Sequence, residues 1–202
     1  MSSRHIQYAA DVESLPTTAW VVLGLLSFGR ELSGYDLRKW AEASVRFFYG
    51  SPAMSQIYRE LRRLEAQGYA VSRPAPPEEP RRKRLYRITP AGLDALAGWL
   101  REAPVEAPVL KHGVALRVWL GHLSDPATLR RTVLEHREFA QRMLDEVSAA
   151  RAVAEHDPTW AYPAMIERWG ERYWAAERDA ADALLADLAT LNQQPPATSP
   201  VP

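Results

Sequence analysis

The stretch from Ser51 to Thr89, SPAMSQIYRELRRLEAQGYAVSRPAPPEEPRRKRLYRIT, constrains this chain more than any other. Met54, Ile57, Leu61 and Leu64 recur at spacings of three and four, the mark of one buried helical stripe. Ser51 suits a cap, Pro52 a first turn and Gly68 a stop. Beyond the stop, Tyr69 to Arg73 and Leu85 to Ile88 read as two extended strands. Pro74, Pro76, Pro77 and Pro80 forbid regular structure between them. A helix followed at once by a hairpin with a charged tip is the outline of a winged helix-turn-helix. Such a unit lays its helix in one groove of DNA and its tip on the backbone or the next groove. Double-stranded DNA is therefore the leading partner.

The rest of the chain fits around that unit. Residues 1–15 are polar and aperiodic and read as a flexible arm. Pro16, Thr17 and Thr18 start a first helix that is apolar on most sides and stops near Gly29. Ser33 and Asp36 form a capping-box-like start for a second helix, to which Tyr35, Leu37 and Trp40 bring apolar contacts. Residues 44–50 connect it to the third helix. Thr89 and Pro90 open a fourth helix through Leu93, Leu96 and Leu100. After a proline-spaced boundary at 103–108 the pattern is wholly helical. Val109 to Leu123 reads as one helix. Pro126 opens a longer one whose Leu129, Val133, His136, Ala140, Met143, Val147, Ala150 and Ala154 make a heptad-like seam. A last helix carries Met165, Trp169, Tyr173, Ala176, Ala180, Leu184 and Leu188, and residues 192–202 read as a disordered tail. The expected fold is mainly α with a small β-hairpin. A winged helix-turn-helix spans 16–103 and a helical dimerisation domain spans 109–191. The seam shows no obvious internal partner, and a second copy of the chain would supply one; a self-contained monomeric bundle is the alternative.

Charge supports this division. The formal net charge is zero, but residues 1–104 hold 15 Lys+Arg against 11 Asp+Glu and residues 105–202 hold 10 against 14. A basic half and an acidic half suit a DNA-facing domain joined to something else. The chain has no cysteine, which excludes disulfides and thiolate chemistry and fits the cytoplasm. Its first residues lack the apolar core of a signal peptide, and its longest apolar run is too short to span a bilayer. His5, His112, His122, His136 and His156 are scattered, with no i, i+4 pair and no glycine-rich phosphate loop. No enzyme activity, cofactor or metal is expected. The carboxylates of the last helices alternate with arginines, as in Glu167/Arg168, Glu171/Arg172 and Glu177/Arg178, the pattern of a solvated face with local ion pairs.

On a 3.6-residue wheel with Ile57, Leu61 and Leu64 inward, Ser55, Arg59 and Arg62 point outward. Tyr58 and Arg63 flank them and Gln56 sits near the N-terminal end. Taken alone this is equally a solvated face, but its residue types are those that reach base edges and phosphates. In the hairpin, Arg81, Arg82, Lys83 and Arg84 repel one another, and nearby phosphates would relieve that repulsion. A solubilising turn balanced by Glu78 and Glu79 is the alternative.

GYDL at 34–37, IYRELRRLEAQGY at 57–69 and RLYRITPAGLDAL at 84–96 resemble, in order, the blocks of the PadR family of transcriptional regulators. The family pattern is GYxL, a tyrosine-bearing recognition helix ending LxxLExxG, a basic wing and YxxTxxG. The resemblance covers about residues 17–100, and the helical C-terminal half is similar to the family's dimerisation region. It implies a homodimeric repressor on a palindromic operator. Tyr58, Ser55 and Gln56 would face DNA, and the wing from Arg81 to Arg84 would touch backbone or minor groove. One departure is PAPPEEP, which lengthens the wing and sets two acids beside the basic run. Seven tryptophans are many for 202 residues. Some PadR relatives bind phenolic or drug-like molecules among such residues. Trp119, Trp169 and Trp174 are the candidates here for an aromatic small-molecule effector, against packing as the plainer role. A winged-helix protein–protein interaction module without DNA binding is the rival reading.

Overall fold

The computed structural model of the chain describes residues 15–76, 83–105 and 107–191. Residues 1–14 of the expected arm, the tail at 192–202, and Arg81 and Arg82 lie outside the described residues, whereas Leu15, expected at the end of the flexible arm, is buried in the core. Two compact units result, one from residues up to 42 together with 51–104, the other from residues 43–50 together with 105 onward.

In the first unit, α1 (Thr17–Leu26) buries Ala19, Val22, Leu23, Leu25 and Leu26, as its apolar circumference requires. Strand β1 (Ala70–Pro74) pairs antiparallel with β2 (Arg84–Ile88). Helix α2 (Gly34–Ala43) begins at a reciprocal cap. Asp36 N–H donates to Ser33 Oγ at 3.2 Å while Ser33 N–H donates to Asp36 Oδ2 at 3.0 Å. Leu37 is buried, whereas Tyr35, expected to bring an apolar contact, falls on the solvent side of this helix and is 63% exposed. Helix α3 (Met54–Ala66) buries Ile57, Leu61 and Leu64 and leaves Met54 half-buried. Its cap is Ala53, not Ser51. The backbone stays extended through Ala53, and Gln56 Oε1 reaches back to accept from Ala53 N–H at 2.8 Å. The helix ends as Gly68 demands. At φ +73° it turns the chain so that Tyr69 N–H meets Leu64 O at 2.9 Å and Gly68 N–H meets Glu65 O at 3.0 Å.

The hairpin is extended by one bridge, in which Leu32 and Tyr86 exchange both backbone bonds. Helix α4 (Pro90–Glu102) is capped by Thr89, whose Oγ1 accepts from Gly92 N–H at 3.0 Å and donates to Gly68 O at 2.7 Å. Trp99 of α4 stacks on Trp20 of α1 with centroids 5.3 Å apart. A Cβ on Gly92 would sit 2.2 Å from Tyr69 O and 2.9 Å from Ile88 Cγ1, so α4 touches the hairpin through bare backbone. Because the blocking atom is a backbone carbonyl, Gly92→Ala is expected to lower unfolding stability by about 2 kcal/mol or more, measured by urea denaturation.

In the second unit, α5 is only Gly113–Trp119, followed by a 3-10 turn at Gly121–Leu123. The expected helix from Val109 is thus halved. His112 is the reason, since its backbone is extended and its Nδ1 caps Ala115 N–H at 3.0 Å. Helix α6 (Pro126–Ala154) starts at Asp125, whose Oδ1 accepts from Thr128 N–H at 2.9 Å. Helix α7 (Ala161–Leu191) follows a 3-10 turn at Pro158–Trp160. The seam of α6 has its partner in the same chain. Leu129 and Val133 cluster with Ala181 and Leu188 of α7, and Val147 abuts Gly170. Phe47, from a 3-10 turn at Val45–Phe47, joins Met143 and Val147. Among the described residues no helix is long and apolar enough to cross a membrane.

The charges on these helices pair across the hairpin as well as within a helix. Arg137 meets Asp182 at 2.6 Å, Arg151 meets Glu171 at 2.8 Å and Arg168 meets Glu155 at 3.0 Å, an antiparallel ladder. Glu167, expected on a solvated face, is 4% exposed, and its Oε2 has no hydrogen-bond partner among the described residues. Burial pushes its carboxyl up to about 7 against the pull of Arg151, with Glu171 and Glu155 adding to the rise. Between the ordinary carboxyl range and about 7, the folded chain holds a proton that the unfolded chain has released. Stability therefore falls as pH rises through that interval and is fully present below it. Glu167→Gln is expected to flatten this slope and to stabilise the chain at pH ~8 by on the order of 2 kcal/mol. Denaturant titrations of both chains at acid and mildly alkaline pH check it.

Candidate nucleic-acid interface

The amphipathic α3 turns its apolar stripe inward and leaves Ser55, Tyr58, Arg59 and Arg62 exposed, with Gln56 and Arg63 half-buried. Tyr58 is seated by a glycine. A Cβ on Gly34, at the start of α2, would lie 2.7–3.0 Å from Cε1, Cζ and the hydroxyl of the Tyr58 ring. The ring thus rests against the bare α2 backbone. Gln56 accepts the cap hydrogen bond described above through its amide oxygen and keeps its amide donors and a second lone pair.

One residue of this surface was not legible as functional. Glu60 falls on the apolar stripe and is fully buried. Its Oε1 accepts from Arg59 Nε at 2.8 Å, and Arg63 Nε lies 3.2 Å from its Oε2, an ion pair without a hydrogen bond. Arg59 and Arg63 are therefore held by a carboxylate beneath them. Flanking arginines at one and three residues' distance were the available signal. A buried charge needs such partners.

The hairpin is fastened to α3 by side chains. Ser72 Oγ of β1 donates to Glu65 Oε1 at 2.5 Å, and Arg84 of β2 donates to the same Ser72 Oγ from Nε at 2.8 Å and Nη2 at 2.6 Å. Arg73 of β1 pairs with Glu31, and that hydrogen bond holds the Glu31 carboxyl below its usual range. The Tyr86 hydroxyl is raised by burial and by Glu65, while Arg84 and Arg62 pull it down and Tyr58 pushes it up. Helix α3 and the hairpin base thus lie within electrostatic reach of one another. Lys83 ends the described wing, its carbonyl accepting from Ala75 N–H at 2.9 Å.

The second unit carries aromatic cavities. Trp169 and Trp174 line one of about 480 Å³ with Phe47, Phe48 and Tyr49. Trp169 stacks on Tyr173, which meets Trp174 edge to face at 5.1 Å. Trp174 Nε1 donates to Phe47 O at 3.2 Å. Trp119 lines neither this cavity nor its neighbour and is 77% exposed.

Because the Gly34 contact involves only the far end of the Tyr58 side chain, Gly34→Ala should displace the ring rather than unfold the chain. The expected result is a native denaturation midpoint within about 1 kcal/mol of wild type together with a changed Tyr58 ring environment, read by aromatic NMR shifts.

Residues 22–98 match the transcriptional regulator PadR-like family. The negative transcriptional regulator PadR of Bacillus subtilis (strain 168) is 35% identical over 91 residues, 45% of this chain and 49% of that protein. The chain thus spans about half the length of the curated relative it matches. Bacillus subtilis PadR in complex with operator DNA is similar in structure with a TM-score of 0.72 and 19% identity, over 86% of this chain and 99% of that one. The same protein in complex with p-coumaric acid has a TM-score of 0.64 and 19% identity, over the same shares. At that identity the likeness shows the fold.

Proposed function

We infer that this chain, whose residues 22–98 belong to the transcriptional regulator PadR-like family, is a sequence-specific DNA-binding regulator. It acts in the cytoplasm as a homodimeric repressor on a palindromic operator and is released by a small aromatic effector. The family is one of regulators, not of enzymes, and no catalytic residue is assigned.

The observation that carries this reading is the Tyr58 ring, seated on Gly34 and exposed beside Ser55 and Arg62 on a helix to which the hairpin is fastened. In the major groove, Ser55, Tyr58 and Arg62 meet base edges and nearby phosphates. Arg59 and Arg63, already held by Glu60, lose little side-chain freedom on meeting phosphate. Lys83 and Arg84, with Arg81 and Arg82, take backbone contacts and release counterions.

Dimerisation draws support from apolar side chains left uncovered in the second unit, among them Leu116, Trp119, Leu123 and Tyr162. With the α6 seam occupied by α7, the second copy covers this other surface. Two copies set half-sites about one helical turn apart, roughly 34 Å. Repression is supported by the description of the Bacillus subtilis relative as a negative regulator. The effector reading is supported by the p-coumaric acid complex of that protein and by the cavity lined by Trp169 and Trp174 here. An effector that prefers the dimer with mis-spaced α3 helices lowers DNA affinity by that preference and no more.

Fluorescence anisotropy on genomic fragments recovered with the protein tests the reading. Affinity for a recovered site should fall by orders of magnitude from low to moderate salt. Alanine at Arg81, Arg82, Lys83 and Arg84 together should weaken binding to every sequence and flatten that slope. Tyr58→Ala should cost the recovered site more than random DNA. Absence of DNA binding at low salt would instead favour a winged helix used to bind protein.

A further inference from the structure

We propose that His112, His136 and Glu177 form a binding site for one divalent transition-metal ion of the zinc type. The three residues are far apart in sequence, from the N-cap of α5, the middle of α6 and the middle of α7. Folding brings them to one point. His112 Nε2 lies 2.5 Å and His136 Nε2 2.8 Å from the same oxygen, Glu177 Oε1. One donor atom from each residue falls within 4.8 Å of the others, and the imidazoles meet edge to face at 4.8 Å.

The chemistry of the set selects the ion. Two imidazoles and one carboxylate are borderline donors that suit zinc, cobalt or nickel, whereas magnesium and calcium require oxygen shells. Three protein ligands leave a fourth position open, and here it faces a cavity of about 380 Å³ lined by the same three residues with Lys111, Arg117 and Trp174. A divalent ion on two neutral imidazoles and one carboxylate keeps one net positive charge. Beside Lys111 and Arg117 that charge calls for an anion or hydroxide in the open position.

The present contacts are those of a metal-free site. Donors bound tetrahedrally at zinc distances lie about 3.3 Å apart, so the histidines must open from Glu177 by less than an ångström and close on each other from within 4.8 Å. Both Nε2 atoms face the carboxylate that holds them, which also keeps the Glu177 carboxyl low against its burial. His112 has a further constraint. Its Nδ1 accepts from Ala115 N–H, which places the proton of the neutral ring on Nε2. Coordination through Nε2 moves that proton to Nδ1 and frees the Ala115 amide. Metal binding is thereby linked to the first turn of α5. The whole site lies in the second unit, and the proposal stands whether or not the chain binds DNA.

Equilibrium dialysis of the full chain against Zn²⁺, with Mg²⁺ as comparison, tests it. One zinc per chain is expected, with magnesium retained at background. His136→Ala and Glu177→Gln should each weaken zinc at least tenfold. His112→Asn should do the same while keeping an oxygen to cap α5, so loss of binding there reads as loss of a ligand rather than of a helix start. Amide exchange at Ala115 should quicken in the zinc form. Zinc retained at wild-type affinity by all three variants, or bound no more tightly than magnesium, overturns the proposal. Unchanged Ala115 exchange together with full affinity in His112→Asn removes His112 from the site.

Discussion

Close approach of backbone at two glycines governs the first unit. At Gly34 the missing side chain lets the Tyr58 ring lie on the start of α2, and at Gly92 it lets α4 abut the carbonyl of Tyr69. The first contact is made by α3 itself and the second by the chain that leaves it. Between them, Gly68 reverses the backbone into β1, and Thr89 ties the return of β2 to the same glycine's carbonyl. The exposed face of α3 has its direction because its surroundings are packed to backbone contact. Glu60 completes the arrangement from below by holding two arginines of that face.

The second unit obeys a different constraint. Helices α6 and α7 are long and must register against each other over many turns. Small residues set the approach, with Gly170 against Val147 and Ala181 beside Val133. Cross-helix ion pairs from Arg137–Asp182 to Arg168–Glu155 mark the register on the outside. Such pairs are partly exposed and contribute little stability individually, but a slip of one turn would break all of them. Within this frame Glu167 is buried with its Oε2 lacking a hydrogen-bond partner among the described residues, and His112 and His136 both meet one oxygen of Glu177.

Much of the fold was legible because local rules agreed with the tertiary outcome. The stripe of Ile57, Leu61 and Leu64, the stop at Gly68, the two strands of the hairpin and the Thr89 cap all depend on spacing and backbone preference, although β1 runs on through Pro74, which was expected to end it. The Ser33–Asp36 start of α2 belongs with them. The misreadings share a cause too. Ser51 fits a cap by type, but the extended backbone at Ala53 gave that place to the chain two residues later. Residues 109–112 looked helical by composition, yet His112 turns its ring back to cap α5. Tyr35 was expected to bring an apolar contact to α2, though its angular position there faces solvent. The α6 seam looked unpartnered because its complement on α7 is spaced as small and large residues that only match when the helices run antiparallel.

The sequence by itself determined the order and type of the elements, the inward stripe of α3 and the basic character of the hairpin. These follow from periodicities of two and 3.6 residues and from the backbone limits of glycine and proline, which act over a few residues. Only the tertiary structure decided that Tyr58 rests on Gly34, that Glu60 holds Arg59 and Arg63, and that α7 occupies the α6 seam. It also decided that two histidines and a glutamate spread over residues 112–177 meet at one oxygen. Such contacts depend on how distant segments approach within a few ångströms, and no local spacing encodes that approach.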